Sequence, residues 1–356
     1  MATQLDVDQA KLEEFMGQAV TDMAAAESSA LMYVGEKLGL YRAMDGAGPL
    51  TARQLAERTA THERYVREWL NNQAAGGYVT YDPKNGTYEL PNEQALVLAD
   101  DNSSVFIGGL FDVIAAMWAS ADRIADAFRT GEGVGWHEHD HRLFHGVERL
   151  FGPIYRGNLT AKWIPALDGV EARLHEGARV ADVGCGHGVS TILMAQAYPN
   201  STFYGFDYHE ESIEAAKKAA AEAGVEDRVT FETATAKDFP GSDYDLICFF
   251  DCLHDMGDPV SAAAYAREAL SETGTVMLVE PIAGDNVEDN FNPVGRLYYA
   301  GSTFLCTPSS LAQEVGLGLG AQAGEARLGQ VMSEAGYSHF RRATETPMNL
   351  VLEARP

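Results

Sequence analysis

The sequence predicts an α/β fold in its carboxyl-terminal half, preceded by a mainly helical half with the element order of a winged helix. The chain has 356 residues, which is more than one hydrophobic core normally fills, so two domains are expected. From about residue 175, apolar strand segments alternate with amphipathic helical segments, which indicates a parallel sheet covered on both faces. Ahead of them, two short helical segments and a hairpin signal follow one another.

Composition and charge exclude several classes of protein. Hydrophobic residues make up 46% and charged residues 22%, as in globular proteins. The sequence shows no apolar run of roughly 18 residues and no apolar segment near the amino terminus, so we expect a cytoplasmic protein without a membrane span or signal peptide. The formal charge of -26 repels phosphate backbones and anionic membranes, so neither is an expected partner. The cysteines show no disulfide framework or zinc spacing and are expected to be reduced thiols: Cys185, Cys248, Cys252 and Cys306.

Residues 8–43 are predicted to form helices. Their apolar positions recur three to five residues apart. These positions include Phe15, Val20, Met23, Leu31, Val34 and Leu38. Such helices either pair across a homodimer or pack on their own domain, and the pattern does not decide between the two.

A winged-helix unit is predicted next. Thr51 and Gln54 have capping-box spacing ahead of a short helix, and residues 62–75 form a second helix that stops at two glycines. Segments 78–81 and 87–90 flank a turn rich in Asp, Pro, Asn and Gly, which is a hairpin signal.

The charges of this unit disfavour DNA binding. Residues 1–100 contain 15 acidic and 8 basic residues, a net charge of -7. The second helix offers Arg64 and Arg67, but Glu63 and Glu68 offset them, whereas a DNA-binding surface needs to neutralise phosphates. A dimerising and substrate-covering module is therefore predicted, with a DNA-binding regulator as the alternative.

Residues 101–170 are predicted to be a helical connector that covers the substrate. A histidine-rich stretch within it contains His137, His139, His141 and His145. The histidines either bind a metal or cap a pocket, and we predict no metal because spacing alone does not supply the required geometry. Trp136 and Tyr155 are candidate walls of the substrate pocket, although aromatic residues at such spacing also occur in cores.

A glycine-rich turn follows the first strand of the α/β half. Gly184, Gly186 and Gly188 stand between strand segment 178–183 and a helix, where they let the backbone approach a ligand closely. Asp207 ends the next strand and could accept hydrogen bonds from both hydroxyls of a ribose. The G-x-G-x-G spacing differs from the dinucleotide pattern G-x-G-x-x-G, which favours a cofactor with ribose and adenine but no phosphates. The alternative is that the glycines form an ordinary turn and Asp207 caps a helix.

The segments DVGCGHG, FYGFD and YDLICFFDCLHD follow one another in order. With them, residues 175–356 resemble the class I S-adenosylmethionine-dependent methyltransferases. The resemblance implies S-adenosylmethionine as cofactor and a Rossmann-like, seven-stranded sheet that is mostly parallel, with segments 339–343 and 349–353 as an antiparallel hairpin. It implies that the ribose contacts Asp207, that adenine contacts Thr235 and Ala236, and that Tyr208 also binds the cofactor. The residues implied for the methionine part are Asp182, Gly184, Cys185, Gly186, Gly188, Phe250 and Asp251.

The segment Cys252 to Met256 follows the fourth strand and resembles the L-H-D-W element of small-molecule O-methyltransferases, with Met256 in place of tryptophan. This resemblance implies that His254 is the general base and that Glu280, at the end of the fifth strand, orients it. A neutral imidazole can take the proton that a hydroxyl loses as it attacks the methyl group. The alternatives are that His254 is a capping or core histidine, that it only positions a nitrogen, sulfur or carbon acceptor, or that the protein binds the cofactor without transferring a methyl group.

Residues 284–325 form an insertion too long for a simple connection, and we expect it to cap the active site. Asn292, Arg296 and Tyr299 are predicted to face a small-molecule acceptor, although the insertion could instead only pack on the domain. The predicted domains are 1–100, 101–170 and 171–356. This layout resembles bacterial small-molecule methyltransferases with a winged-helix amino terminus, which implies a homodimer.

Overall fold

The computed structural model describes residues 7–356, which form two compact units. The first contains the described residues up to Ala115 together with His145–Leu150, and the second contains Ala116–Phe144 and Phe151–Pro356. The helices are α1 (Gln9–Lys37), α2 (Leu40–Met44), α3 (Ala52–Thr59), α4 (Glu63–Ala75), α5 (Asn92–Leu98), α6 (Gly109–Ala119), α7 (Ala121–Thr130), α8 (Arg142–Asn158), α9 (Val170–Glu176), α10 (Val189–Ala197), α11 (Glu210–Ala223), α12 (Pro259–Ala269), α13 (Pro293–Gly301), α14 (Thr307–Leu311) and α15 (Gly324–Glu334). The strands are β1 (Thr80–Asp82), β2 (Thr87–Glu89), β3 (Arg179–Val183), β4 (Thr202–Asp207), β5 (Val229–Thr233), β6 (Tyr244–Phe250), β7 (Leu270–Pro281), β8 (His339–Glu345) and β9 (Asn349–Arg355).

The winged-helix order is confirmed in the first unit. The Thr51 hydroxyl accepts the Gln54 N–H while the Gln54 side chain accepts the Thr51 N–H, so the predicted capping box starts α3. Helix α4 follows after Ala60, which adopts a left-handed conformation with φ of 52°. Strands β1 and β2 pair as the predicted antiparallel hairpin, with Tyr81 opposite Tyr88.

Helix α1 packs on its own unit mainly through its carboxyl-terminal part. The Trp69 indole N–H donates to the Leu31 carbonyl at 2.9 Å, and a Cβ at Gly35 would lie 2.5 Å from the Trp69 ring. Toward the amino-terminal end of the helix, Phe15 and Val20 are each 66% exposed. The structure thus accounts for one end of α1 and leaves the apolar residues of the other end in solvent.

The second unit is built on one seven-stranded sheet with the order β5-β4-β3-β6-β7-β9-β8. Strands β3 to β7 pair in parallel, while β9 pairs antiparallel with β7 and with β8, as predicted. The order reverses between β3 and β6, and in open α/β sheets ligands bind beyond the strand ends at such a reversal. This arrangement brings together the carboxyl ends of β3, β4, β6 and β7.

Residues 284–325 are ordered as short helices rather than as one long loop. A 3₁₀ turn at Val287–Asn290 precedes α13, and a π-helical turn at Ser302–Cys306 joins α13 to α14. Within the part of the chain that the structure describes, no helix is both long and apolar enough to cross a membrane.

Candidate active site at the strand ends

The glycine turn after β3 combines tight packing with open space. A Cβ at Gly184 would lie 2.8 Å from Cys252 Sγ, and one at Gly188 would lie 2.4 Å from the Phe231 ring. Gly186 has a φ of 52°, but nothing lies within 4 Å of its Cβ position. The outer glycines are therefore required for packing, while Gly186 presents bare backbone to a space that a ligand can fill.

Asp207 ties this turn to the end of β4. Its Oδ2 accepts the Gly186 N–H at 3.0 Å and its Oδ1 accepts the His209 N–H at 2.9 Å, and burial raises the pKa of the carboxyl. The alternative that Asp207 caps a helix is wrong, because His209 is the residue whose side chain caps α11. Each carboxylate oxygen keeps a lone pair for a ribose hydroxyl. The neighbouring Tyr208 is 50% exposed.

Asp182 is buried near the end of β3. Its Oδ2 accepts hydrogen bonds from the hydroxyls of Ser190 and Thr191, both at 2.6 Å. Its Oδ1 is buried without a hydrogen-bond partner among residues 7–356. Burial raises the pKa of this carboxyl to about 6. An unpartnered buried acceptor is costly, so Asp182 fits a bound group that brings donors or positive charge.

Asp251 lies just beyond β6 with a left-handed φ of 50°. Its Oδ2 accepts from the Tyr155 hydroxyl at 3.0 Å and its Oδ1 accepts from the Asn349 amide at 2.9 Å. Burial, reinforced by the negative charge of Glu280, raises the pKa of Asp251 to about 8. The Tyr155 ring also packs 5.5 Å from that of Phe250, so Tyr155 links the carboxylate to the core. Its predicted contact with substrate remains a prediction.

His254 lies in a 3₁₀ turn after β6, almost wholly buried. Its Nδ1 hydrogen-bonds to Glu280 Oε2, while Glu280 Oε1 accepts the Leu253 N–H at 3.1 Å. On the other side of the ring, Nε2 lies 3.1 Å from Asp255 Oδ1, which is within ion-pair distance. The angles between these two atoms do not meet the geometry of a hydrogen bond. Burial lowers the pKa of His254, but the charges of Asp255 and Glu280 outweigh it and hold the pKa well above its usual range. The capping position of this turn belongs to Cys252, so His254 is not a helix cap.

Cys306 completes this cluster from the insertion. Its thiol, the Asp255 carboxylate and the His254 imidazole place their ligand atoms within 4.8 Å of one another. The predicted histidine cluster does not converge in the same way. The side chains of His141 and His145 are 93% and 64% exposed, whereas His139 is buried.

The residues predicted to face substrate from the insertion lie at its surface or half-buried. Asn292 is exposed and caps α13, accepting the Gly295 N–H and donating to the Asp289 carbonyl. Arg296 is exposed and Tyr299 is half-buried. Their predicted contact with substrate therefore has no support in these hydrogen bonds and stays a prediction.

Tyr298, which sequence reasoning missed, lies close enough to Asp251, His254 and Cys306 for their charges to act on its hydroxyl. Its hydroxyl donates to the Met348 carbonyl at 2.7 Å, and its pKa is raised by burial and by the nearby charge of Asp251. Tyr298 and Tyr299 are adjacent in α13, and the rotation of the helix about its axis decides which of them bonds the Met348 carbonyl. The sequence does not determine that rotation. Asn349 was also missed because it starts a strand far along the chain.

The loop after β5, predicted to lie beside adenine, is built around Thr235. Both its N–H and its hydroxyl donate to Asp238 Oδ1, at 2.8 and 2.7 Å, while Ala236 is half-buried. Cys185 is buried beneath the glycine turn. Whether these residues contact a cofactor stays a prediction.

Two family models match separate parts of the chain. Residues 174–324 match a family model described as a methyltransferase domain, and residues 26–100 match an Rv2258c-like winged HTH domain. Residues 174–324 are a methyltransferase domain. Strands β3 to β7 and the turn at 184–188 described above lie within it, whereas β8 and β9 follow it.

Among curated proteins, the chain is similar to the 27-O-demethylrifamycin SV methyltransferase of Amycolatopsis mediterranei. The two are 34% identical over 107 residues, 30% of this chain and 39% of that protein. The chain thus spans about two fifths of the length of that relative.

Solved structures match over the whole chain. The mitomycin 7-O-methyltransferase has a TM-score of 0.72 and 18% identity, covering 98% of this chain and 100% of its own. Human N-acetylserotonin methyltransferase, solved in complex with S-adenosylmethionine, has a TM-score of 0.71 and 18% identity, covering 100% and 99% of the two chains. At this level of identity the likeness shows a shared fold.

Proposed function

We propose that this protein transfers the methyl group of S-adenosylmethionine to a hydroxyl oxygen of a small molecule. The single observation that carries the proposal is the pairing of the buried imidazole of His254 with the carboxylate of Glu280, beside a turn suited to an adenosyl cofactor. The names of the relatives support it, because the rifamycin and mitomycin enzymes are both O-methyltransferases.

The cofactor would lie against the ends of β3 and β4. Asp207 would accept the ribose hydroxyls, Gly186 would give the cofactor access to the backbone, and the unpartnered oxygen of Asp182 would face its amino group. When bound, the cofactor supplies an electrophilic methyl group on a sulfonium cation.

His254 would hold the proton that the acceptor hydroxyl loses. Glu280 accepts the Nδ1 proton, which leaves the lone pair on Nε2, the nitrogen that faces Asp255. Proton transfer to Nε2 gives an imidazolium, which the carboxylates of Glu280 and Asp255 stabilise. The same two charges make the free imidazole bind a proton strongly, so the base is in its active form only above its raised pKa.

A screen of phenols, carboxylic acids and amines with labelled S-adenosylmethionine, read by the mass of the product, tests the proposal. We expect methylated phenols and a loss of rate of about 10²- to 10⁴-fold in His254→Ala. His339→Ala, which removes an exposed imidazole, is the matched control and should be fully active. Full activity of His254→Ala would instead support the second candidate function, methylation of nitrogen, sulfur or carbon with His254 only positioning the acceptor.

We also propose that the protein is a homodimer formed through α1. Leu12, Met16, Val20 and Met23 follow one another at helical spacing, and between 38% and 66% of the surface of each is exposed. Such an apolar stripe is the usual mark of an interface between subunits.

A DNA-binding role is disfavoured by the helix that would enter the groove. Arg64 pairs with Glu68 and Arg67 pairs with Glu63 along α4, so the positive charge of these two arginines is already balanced. Tight, salt-sensitive binding to duplex DNA in a gel shift would restore that alternative.

A further inference from the structure

His139 is buried and close enough to the active-site turn for the charge of Asp255 to act on it, although neither the fold nor the proposed reaction has given it a role. It is 6% exposed, and its ring lies in the loop between α7 and α8. The Val134 N–H of this loop donates to the Pro308 carbonyl at 3.0 Å, which holds the loop against α14. From the same helix, the Ser310 hydroxyl donates to the Met256 carbonyl at 2.8 Å. Helix α14 thus contacts both the loop of His139 and the turn of His254.

The hydrogen bonds around Ser120 favour one tautomer of His139. Ser120 has a single hydroxyl proton, which it donates to the Ala116 carbonyl at 3.1 Å. The Ser120 oxygen, 3.2 Å from His139 Nδ1, is then left to accept a hydrogen bond from Nδ1–H. In a neutral imidazole this puts a lone pair on Nε2, which is buried without a hydrogen-bond partner among the described residues.

Electrostatics keep this imidazole neutral. Burial and the positive charge of Arg123 lower the pKa of His139, while the carboxylates of Glu138 and Asp255 oppose them and are outweighed. His254 is in the reverse situation, because its flanking carboxylates raise its pKa. The two histidines are therefore suited to different tasks: His254 to hold a proton, and His139 to offer a lone pair.

We propose that His139 Nε2 accepts a hydrogen bond from a second donor group of the methyl acceptor, such as a second hydroxyl. The substrate class is then a small molecule with two hydrogen-bond donors, one of which is methylated while the other is bound by His139. Trp136 lies at the edge of the same ring, 6.4 Å between centroids, and would contact the apolar part of such a molecule. This inference rests on the proposed methyltransferase function.

The test compares 2-naphthol with the isomeric dihydroxynaphthalenes as acceptors, measuring kcat and KM separately. For at least one isomer we expect kcat/KM to exceed that of 2-naphthol by about 10- to 100-fold, the usual effect of leaving a buried polar group unpaired. In His139→Phe, the kcat/KM of the dihydroxy acceptor should fall to that of 2-naphthol measured with the same variant, mainly through KM. His139→Gln, which keeps an acceptor oxygen, should restore part of the preference, and His141→Phe is the exposed control.

Three outcomes would overturn the inference. In the first, the wild type has the same kcat/KM for monohydroxy and dihydroxy acceptors. In the second, His139→Phe keeps the preference for the dihydroxy acceptor. In the third, His139→Phe and His139→Gln both lower the rate equally with the two kinds of acceptor, as a purely structural role of His139 requires. In each of these the wild type is an active methyltransferase and the proposed function stands. A wild type that neither methylates any naphthol nor binds S-adenosylmethionine in calorimetry would overturn the function and the inference together.

Discussion

Replacing Glu280 by glutamine is the sharpest perturbation of the proposed base. In the wild type, Glu280 Oε1 accepts the Leu253 N–H while Oε2 accepts Nδ1–H of His254. The backbone N–H of Leu253 requires an acceptor, so the carbonyl oxygen of the introduced glutamine would keep that position and its NH₂ group would face Nδ1. The NH₂ group can only donate, so the imidazole must move its proton to Nε2.

A histidine protonated on Nε2 cannot accept the proton of the substrate. The expected loss is the full contribution of general-base catalysis, about 10²- to 10⁴-fold in kcat, which corresponds to roughly 3–5 kcal/mol of transition-state stabilisation. The affinity for the demethylated cofactor, S-adenosylhomocysteine, should not change, because Glu280 lies behind His254 and is not among the residues assigned to the cofactor.

The assay is initial-rate formation of methylated product, with S-adenosylhomocysteine binding followed by calorimetry and folding by thermal unfolding. Glu272→Gln makes the same chemical change at an exposed position of the same strand and should be fully active. A Glu280→Gln protein that folds, binds S-adenosylhomocysteine and loses less than about tenfold in kcat would refute the assigned roles of Glu280 and His254.

Three further predictions follow from the charges and surfaces of the described residues. The value of kcat/KM should rise with pH through a pKa above the usual histidine range, because His254 is inactive as a base while it is protonated. The Asp255→Asn variant should move this rise to lower pH, because it removes one of the charges that raise the pKa of His254. Cofactor binding near pH 7 should release protons, because Asp251, with a pKa of about 8, is mostly protonated in the free protein and a bound cation lowers that pKa. Calorimetry in buffers of different ionisation enthalpy measures this proton release. The Asp251→Asn variant should abolish it. Val20→Asp should produce a monomer in sedimentation equilibrium, because an unpaired carboxylate in the apolar stripe of α1 opposes association, and an unchanged dimer would place the interface elsewhere.

Sequence reasoning predicted the sheet and the glycine turn because local signals specify both. Apolar strand segments alternate with amphipathic helices, and the three glycines stand directly between a strand and a helix. The hairpin of the wing was found in the same way, from its turn residues. These features depend on residues that are close together in the chain.

The lining of the active site was harder to predict because it depends on long-range packing. Asn349 reaches Asp251 across 98 positions of sequence, and Tyr298 rather than Tyr299 donates to the Met348 carbonyl because of how α13 is rotated. His137, His139 and His141 alternate in one segment, and His139 is the one of these three that is buried. Nothing in the local pattern distinguishes it from His141.

The charge of the site supplies an argument about the cofactor that is independent of the glycine motif. Asp182, Asp207, Asp251, Asp255 and Glu280 all stand at the carboxyl ends of neighbouring strands. Burial raises the pKa of Asp182 to about 6 and that of Asp251 to about 8, and the negative charges of Asp207 and Glu280 add to these two rises. A dinucleotide would add its phosphates to this negative field, whereas a cofactor with an ammonium and a sulfonium group would neutralise it. Charge therefore selects, among the nucleotide cofactors that such a fold binds, the one that is a cation.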